Sequence, residues 1–322
     1  MVRVLAFLVF IYSSVFGVSD ILGRDVKVSG TEKLVFIGPG ALRLGVYLGL
    51  EDRIVGVEAW EKKNDFNAPY SSVIKAKNLH EKPVIGEGGP GKMPSMEALI
   101  ESGAELIIAS FMSKDQMDLI ETKTKIPVLG LSYGAGYGGN LEKMDSLKKS
   151  LLLLGEVTGV EARAKELVSF MDAEEKKLKS LTLEPKTIYV GGVSFKGSWG
   201  IGSTEADYLP FYLLGVENAL GEKKSGHLFV DIERILEVDP DVIFIDYGGE
   251  RIVKDEIKTK SEFFNSLKAF KNDQIHWVLP FNFYNTNVEN CFIVAWNAAQ
   301  ALGVEVDLEA KKAEIYKMFL GE

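Results

Sequence analysis

The chain has 322 residues, of which 46% are apolar and 26% are charged, so it is long enough for two globular domains with sizeable cores. Its formal net charge of −9 disfavours nucleic acid and anionic membranes as general partners, because their binders carry basic surfaces. The single cysteine, Cys291, excludes an intrachain disulfide and a metal site built from several thiolates.

The amino terminus has a basic start at Arg3 and then an apolar run over residues 4–17. The run is too short to span a membrane comfortably, and small residues lie near its end, which is typical of a cleavable secretory signal peptide. We assign residues 1–19 to this peptide, with a membrane anchor or a buried strand as alternatives. Because no cysteine comes directly after the run, we expect the mature protein to be free in a periplasm-like space and not lipid-anchored.

Short apolar runs alternate with helix-like stretches along the rest of the chain. We predict strands at Leu34–Ile37, 54–57, Leu106–Ala109, 128–131, 188–193, 242–245 and 275–279. Strands that alternate with helices indicate parallel sheets whose faces are covered by helices.

Two distant stretches share one design, SMEALIESGAELIIAS at residues 95–110 and DIERILEVDPDVIFID at residues 231–246. In each, a capping residue, Ser95 or Asp231, precedes apolar residues at helical spacing, and a short turn then leads into an apolar strand. Each stretch also has a glutamate as its third residue, Glu97 or Glu233. Two such helix-strand units in different halves of the chain predict two similar lobes.

Between the halves, residues 140–181 have apolar residues at helical spacing, which Gly155 and Gly159 interrupt. We predict one helix, a break, and a second helix of roughly 20 residues and about 30 Å. A stiff helix between lobes would restrict their relative motion more than a flexible linker would. An ordinary surface helix of one domain is the alternative.

The predicted fold is therefore α/β, with two lobes that are each a mostly parallel sheet flanked by helices, joined by one long interlobe helix. We place the amino-terminal lobe at residues 20–140, the interlobe helices at 141–183 and the carboxy-terminal lobe at 184–322.

Ligands of open α/β sheets bind beyond the carboxyl ends of the strands, so the loops that follow the strands are the candidate binding surface. These loops are rich in aromatic and amide residues, which suit a bulky, partly apolar ligand, and they include arginine and lysine residues that can meet negative charge. The candidate contacts are Arg43, Trp60, Phe111, Lys196, Trp199, Tyr208, Tyr247, Arg251, Phe283, Tyr284, Asn285 and Asn287.

The chain has three histidines, and none pairs with another at metal-ligand spacing, so a zinc or manganese carrier is disfavoured. A site for naked ferric ion remains an alternative, with Tyr247 and Asp246 as donors and Glu58 or Glu87 across the cleft. The sequence lacks G-x-S-x-G, a phosphate-binding P-loop, HExxH and a strand-linked G-x-G-x-x-G. We therefore expect no catalytic residues, with an enzyme on the same two-lobed fold as a remote alternative.

Together the motifs resemble those of a known family. The motifs are DRIVGVE at residues 52–58, the two duplicated stretches, PVLGL at 127–131, LLGEVTGVEARAKELV at 153–168 and FFNSLKAFKNDQIHWVLP at 263–280. In order and spacing they resemble those of periplasmic substrate-binding proteins of the helical-backbone class. That class serves ATP-driven importers of iron chelates and cobalamin.

The resemblance implies a monomeric receptor with no permanent cofactor, which binds a small molecule and delivers it to a permease dimer in the inner membrane. It also implies that Glu97 and Glu233 pair with arginines on the two permease halves; simple helix-start residues are the alternative. A ferric chelate such as a siderophore is the expected ligand, and cobalamin, an oxyanion such as molybdate and naked ferric ion stay open. Leu42 and Arg43 stand where the family usually has a threonine-glutamate pair after the first strand, which leaves these ligand classes open.

Overall fold

The computed structural model describes residues 16–63, 68–131, 140–221 and 225–321. The amino-terminal lobe contains the strands β1 (Phe16–Ser19), β2 (Asp25–Val28), β3 (Leu34–Ile37), β4 (Ile54–Gly56), β5 (Leu106–Ala109) and β6 (Val128–Gly130). The last four form one parallel sheet in the order β4-β3-β5-β6, while β1 and β2 form an antiparallel pair. Every residue of β3 and β5 is buried, as expected for parallel strands covered on both faces.

The helices of this lobe are α1 (Ala41–Tyr47), α2 (Ser71–Ala76), α3 (Met96–Ser102) and α4 (Lys114–Thr124). Helix α1 is buried along its whole length, Arg43 included. The side chain of Ser95 caps α3 by accepting a hydrogen bond of 3.2 Å from the backbone N–H of Ala98, as the sequence predicts.

Two helices of 19 residues each, α5 (Asn140–Thr158) and α6 (Glu161–Lys179), follow this lobe. At the end of α5, the carbonyl of Thr158 accepts a hydrogen bond of 2.7 Å from the guanidinium of Arg53 in the amino-terminal lobe. At the end of α6, the ammonium of Lys179 lies 5.1 Å from the ring centroid of Tyr212 in the carboxy-terminal lobe. Helix α6 therefore runs from one lobe to the other.

The break between α5 and α6 differs in one respect from the prediction. Only Gly159, with a positive φ of 74°, lies at the break, whereas Gly155 is inside α5. A Cβ atom at Gly155 would lie 2.4 Å from the Cβ of Ala164. Gly155 is therefore required for close packing of the two helices and does not interrupt α5.

The carboxy-terminal lobe contains the strands β7 (Ile188–Gly191), β8 (Ser203–Glu205), β9 (His227–Phe229), β10 (Val242–Asp246) and β11 (Ile275–Val278). A parallel sheet has the order β11-β10-β7, and β8 pairs with β9 antiparallel. The remaining helices are α7 (Leu209–Leu214), α8 (Ile232–Val238), α9 (Glu250–Thr259), α10 (Ser261–Ser266), α11 (Lys268–Lys271), α12 (Val288–Ala301) and α13 (Leu308–Leu320).

One apolar core continues from lobe to lobe. Phe36 of the first sheet and Phe244 of the second belong to the same cluster of buried side chains, which runs through α5, α6 and α12. The ring of Tyr47 in α1 contacts that of Phe319 in α13 edge-on, with centroids 5.0 Å apart, so the last helix packs against the amino-terminal lobe. The lobes are thus held together by packing as well as by α6.

The α/β fold with two lobes and a long interlobe helix is confirmed, and each predicted strand is present within two residues of its predicted ends. The lobe boundaries stay predictions. Phe16–Ser19, part of the assigned signal peptide, form β1, and residues 1–15 lie outside the described residues. Among the helices that the structure describes, none has the length and apolar character needed to cross a bilayer.

Candidate ligand-binding site

A cavity of about 470 Å³ lies where the two lobes and α5 meet. From the amino-terminal lobe it is lined by Phe111, which follows β5, and from the carboxy-terminal lobe by Ser194 and Phe195, which follow β7. These loops come directly after parallel strands, which is where open α/β sheets place their ligands. The volume is within the range of small-molecule sites, which span roughly 300–1,000 Å³.

Aromatic rings form much of the apolar lining. Phe111, Phe195 and Phe281 contribute from three different loops, and Leu147 contributes from α5. Phe111 itself has a left-handed backbone conformation, with a φ of 56°, and it lies two residues after the end of β5. The imidazole of His227 stacks on Phe195, with ring centroids 4.3 Å apart and planes inclined by 12°. The wall therefore offers flat faces to an organic ligand.

Polar groups complete the lining. Lys143 in α5 and Glu205 at the end of β8 face each other with 3.5 Å between Nζ and Oε1, and Asn282 and Asn285 add amides from the loop that follows β11. Burial raises the pKa of the Glu205 carboxyl to about 7, although the charge of Lys143 opposes the shift. Glu205 therefore exchanges its proton near neutral pH.

His227 is held in one orientation. Its Nε2 lies 2.7 Å from Oγ of Ser203, and that hydroxyl donates its own proton to the carbonyl of Val193 at 2.6 Å. Nε2 must then be the donor, which leaves Nδ1 as the acceptor nitrogen of the ring. Burial lowers the pKa of His227, so the imidazole is neutral at pH 7.

Residues 281–287, here called the cleft loop, connect β11 to α12 and contact both lobes. The buried guanidinium of Arg43 donates hydrogen bonds to the loop carbonyls of Phe283 at 3.0 Å, Tyr284 at 3.2 Å and Thr286 at 2.8 Å. Its Cζ lies 4.6 Å from the ring centroid of Tyr70. Arg43 thus anchors the cleft loop and is not among the described residues of the cavity lining.

Tyr284 makes the second attachment of the cleft loop to the amino-terminal lobe. Its hydroxyl donates to Oε2 of Glu58 at 2.9 Å and accepts from the backbone N–H of Gly89 at 3.0 Å. Its ring stacks on Trp60, with centroids 5.3 Å apart. Trp60 and Tyr284 therefore contact each other across the lobes, and neither is part of the described cavity lining.

Three other predicted contacts also lie outside that lining, each for a different reason. Tyr208 is buried against Phe281 at 5.1 Å between ring centroids and lines a separate hollow. Tyr247 lines a groove on the α13 side of the cleft, where its ring packs 5.4 Å from Trp277. The amide of Asn287, at the start of α12, donates to the carbonyls of Phe281 and Phe283, which stabilises the turn of the cleft loop.

The exposed candidates form a separate group. Trp199 donates from its indole nitrogen to the carbonyl of Phe195 at 2.7 Å, and its ring meets Phe229 edge-on at 4.8 Å. Lys196 and Arg251 are exposed side chains and are not among the described lining residues. Of the predicted ligand contacts, the structure thus brings together Phe111 and Asn285 at the cavity.

The donors suggested for a naked ferric ion are not assembled. Asp246 is buried and accepts a hydrogen bond of 2.7 Å from the N–H of Gly248, and burial raises the pKa of its carboxyl to about 7. Glu58 is occupied by Tyr284 and by the N–H of Gly38, 3.1 Å from each carboxylate oxygen. Within the described ranges, no group of three or more histidine, cysteine or acidic side chains is placed to hold a metal ion.

Glu97 and Glu233 are both exposed in the first turn of their helices, α3 and α8. Each helix precedes a parallel strand, so its first turn is at the carboxyl edge of that strand's sheet. The helices differ in their caps, because Asp231 occupies the capping position of α8 without a side-chain capping bond, contrary to the prediction.

Lys143, Glu205 and His227 line the cavity but are not among the residues that sequence reasoning selected. Lys143 is inside a helix predicted to be a connector, and Glu205 belongs to a short strand with no apolar signature. The sequence pattern marks histidines only as metal ligands, and His227 has no second histidine at metal-ligand spacing. Lys143 could have been found as a lysine in the first turn of the first of the two predicted interlobe helices.

Comparison with known proteins assigns the chain to a family. The profile described as periplasmic binding protein matches residues 35–277. The Fe(3+)-citrate-binding protein YfmC of Bacillus subtilis is 25% identical over 191 residues, which cover 58% of this chain and 58% of YfmC. The chain therefore matches less than two thirds of the length of that curated relative.

Solved structures share the fold at low sequence identity. Molybdate-bound MolA of Haemophilus influenzae superposes with a TM-score of 0.70 at 18% identity, covering 95% of this chain and 98% of MolA. A protein of an Fe3+-hydroxamate transport system from Saccharomonospora viridis superposes with a TM-score of 0.56 at 19% identity, covering 90% of this chain and 99% of its own. At these identities the likeness establishes the two-lobed architecture.

Proposed function

The chain belongs to the periplasmic binding protein family, and we propose that it binds a ferric chelate in the cavity between its lobes and delivers it to the permease of an ATP-driven importer. The observation that carries the proposal is the composition of the cavity: three phenylalanines, a stacked histidine and two asparagine amides around about 470 Å³. Flat apolar faces with a few fixed polar groups fit the organic shell of a chelate.

A chelate is favoured over a bare ion because the cavity presents rings and amides to its ligand. The one carboxylate among the described lining residues, Glu205, already faces Lys143 at 3.5 Å. The similarity to a Fe(3+)-citrate-binding protein supports iron as the cargo. The fold similarity to a molybdate-bound protein keeps an oxyanion as the competing ligand class.

The proposed partner is a membrane permease, contacted through Glu97 and Glu233. Both carboxylates are exposed, and both lie in the first turn of a helix, where the helix dipole stabilises negative charge. One acidic side chain on each lobe offers one ion-pair site to each half of a two-fold permease. The proposed compartment is the periplasm.

The test is a binding screen of the purified full chain, followed by calorimetry and intrinsic tryptophan fluorescence. The probes are ferric citrate, a neutral ferric trihydroxamate, molybdate and cyanocobalamin. We expect at least one ferric chelate to bind with a Kd in the micromolar range or tighter, and mass spectrometry of natively purified protein to detect a bound iron chelate. Binding of molybdate or cyanocobalamin alone would overturn the proposal.

A further inference from the structure

The inference concerns the charges of the cavity and rests on the proposed function. Among the described residues that line it, Lys143 is the one lysine or arginine, and Glu205 is the one carboxylate. They come from different parts of the fold, since Lys143 is in the first turn of α5 and Glu205 ends β8. A ligand in the cavity therefore meets one positive and one negative side chain.

The contact between the two side chains is long. Nζ of Lys143 lies 3.5 Å from Oε1 of Glu205, whereas a well-formed ammonium–carboxylate bond is about 2.7–2.9 Å. The same helix provides a comparison, because Lys148 contacts Asp172 and Glu175 at 2.7 Å each. Lys143 also keeps 29% of its side chain exposed, against 14% for Lys148. Lys143 is thus available to a ligand that offers a shorter contact.

Glu205 is surrounded by groups that disfavour its charge. Asp207 is two residues along the chain, and the buried Asp246 interacts with Glu205 from the end of β10. Tyr208 follows in the same segment, and Cys291 approaches from α12; both are buried and neutral. His227 is paired with Glu205 in the β8–β9 register. Its imidazole is neutral, so Lys143 is the cation that faces Glu205 among these described neighbours.

We propose that Lys143 is the anion-binding group of the cavity, that an anionic chelate displaces Glu205 from it, and that Glu205 then takes up one proton. The proton comes from solvent and converts the carboxylate into a carboxylic acid, so no other bond is made or broken. The physical reason is that the ligand's negative charge replaces the carboxylate at the ammonium. An ionised Glu205 would then be a buried charge without its cation, beside a second negative group.

The sign of the pH effect follows from this exchange. The pKa of Glu205 in the free protein is about 7, and binding an anion raises it further. Below pH 6 Glu205 is protonated before and after binding, so affinity is independent of this group. Above pH 7 each binding event must take up a proton, so affinity falls about tenfold per pH unit.

The experiment measures ferric citrate binding to the full chain by calorimetry at pH 6, 7 and 8, in buffers of different ionisation enthalpy. We expect uptake approaching one proton per ligand at pH 8 and an affinity about tenfold weaker at pH 8 than at pH 6. The Glu205→Gln variant should lose the proton uptake that this exchange causes. The pH dependence that remains in its affinity measures the speciation of ferric citrate itself.

Variants of Lys143 test the anion site directly. Lys143→Gln should weaken the binding of ferric citrate about tenfold or more, because the anion loses its charge-assisted contact. The affinity for a neutral ferric trihydroxamate should stay within about twofold. Lys148→Gln on the same helix is the matched control and should leave the affinity for both ligands unchanged. A urea denaturation of each variant verifies that it is folded.

The outcomes separate this inference from the proposed function. If no ferric chelate binds the wild-type chain, the proposed function fails. If ferric citrate binds without proton uptake, or equally well to Lys143→Gln and the wild type, the function stands and this inference is wrong. Comparison of the wild type with Glu205→Gln and with Lys143→Gln gives two separate tests, so one variant that does not fold still leaves the other to decide.

Discussion

The hydroxyl of Tyr284 in the carboxy-terminal lobe donates a hydrogen bond of 2.9 Å to the carboxylate of Glu58 in the amino-terminal lobe. The contact links the two lobes, and the same carboxylate also accepts a hydrogen bond from the N–H of Gly38 after β3. Burial raises the pKa of Glu58, and these hydrogen bonds oppose the shift. The two lobes are thus joined by a polar contact as well as by the shared apolar core.

Removing this hydroxyl should loosen the lobes. Tyr284→Phe leaves Glu58 buried without its tyrosine donor, so we expect the free energy of unfolding to fall by about 1–2 kcal/mol. Urea denaturation followed by circular dichroism measures the change. Tyr247→Phe, whose ring is partly exposed beside Trp277, is the control and should change stability by less than about 0.5 kcal/mol. Equal effects would show that the interlobe hydrogen bond contributes nothing.

Glu174 should be essential to the attachment of the last two helices, although it is in a charged stretch of α6. Its carboxylate accepts from the indole N–H of Trp296 at 2.6 Å and lies 3.3 Å from Nζ of the buried Lys311. Glu174→Ala removes the acceptor of the indole N–H and leaves Lys311 with Glu314 at 2.5 Å as its carboxylate, so we expect a loss of about 2 kcal/mol in urea denaturation.

The control for this prediction is Glu166→Ala on the same helix. Glu166 forms an exposed ion pair with Arg163, and such pairs contribute less than about 1 kcal/mol. A Glu174→Ala variant as stable as the Glu166→Ala variant would contradict the assigned role.

Gly155 should resist substitution because of the close packing of α5 against α6. Glycine to alanine inside a helix normally stabilises it by about 1 kcal/mol, since alanine has the higher helix propensity. At position 155 the new Cβ would lie 2.4 Å from that of Ala164, so we expect a net destabilisation of about 1–3 kcal/mol.

A double-mutant cycle measures this contact. Ala164→Gly removes the opposing Cβ, so the double variant Gly155→Ala, Ala164→Gly should be more stable than the sum of the single changes predicts. Additive free energies of unfolding would show that the two positions do not contact each other.

Charge reversal at Glu97 and Glu233 tests permease docking. The variants Glu97→Lys and Glu233→Lys should each reduce uptake of iron chelate by cells about tenfold, because a lysine facing a cationic partner repels it. Ligand affinity of the purified proteins should stay within about twofold, since neither residue is part of the described cavity lining.

The matched control is Glu309→Lys, which reverses an exposed glutamate in the first turn of α13. It should leave uptake unchanged. Normal uptake in both the Glu97→Lys and Glu233→Lys strains would mean that these glutamates only stabilise their helices.

The periodicity of the sequence was sufficient to predict the strands and the pairing of the two lobes. A buried parallel strand reads as an unbroken apolar run, as at Leu34–Ile37 and Leu106–Ala109, and both strands have these bounds. The duplicated helix-strand units place Glu97 and Glu233 at equivalent positions for the same local reason. The family resemblance, which rests on the order of such units, is confirmed.

The cavity could not be obtained in this way, because its residues are brought together by contacts between distant segments. Arg43 follows a strand as a ligand-binding cation would, yet it is buried under the carbonyls of Phe283, Tyr284 and Thr286. Conversely, Lys143 in α5 meets Glu205 only because the fold brings the start of α5 to the end of β8. No local pattern records either contact.

The sequence by itself determined the α/β class, the strand positions, the two-lobed plan and the family, because hydrophobic periodicity and helix-start residues act within a few residues of one another. The tertiary structure alone decided which side chains face the cavity, because the orientation of the lobes sets which charges are buried by other side chains and which remain accessible. The proposed exchange of Glu205 for a ligand at Lys143 depends entirely on this tertiary arrangement.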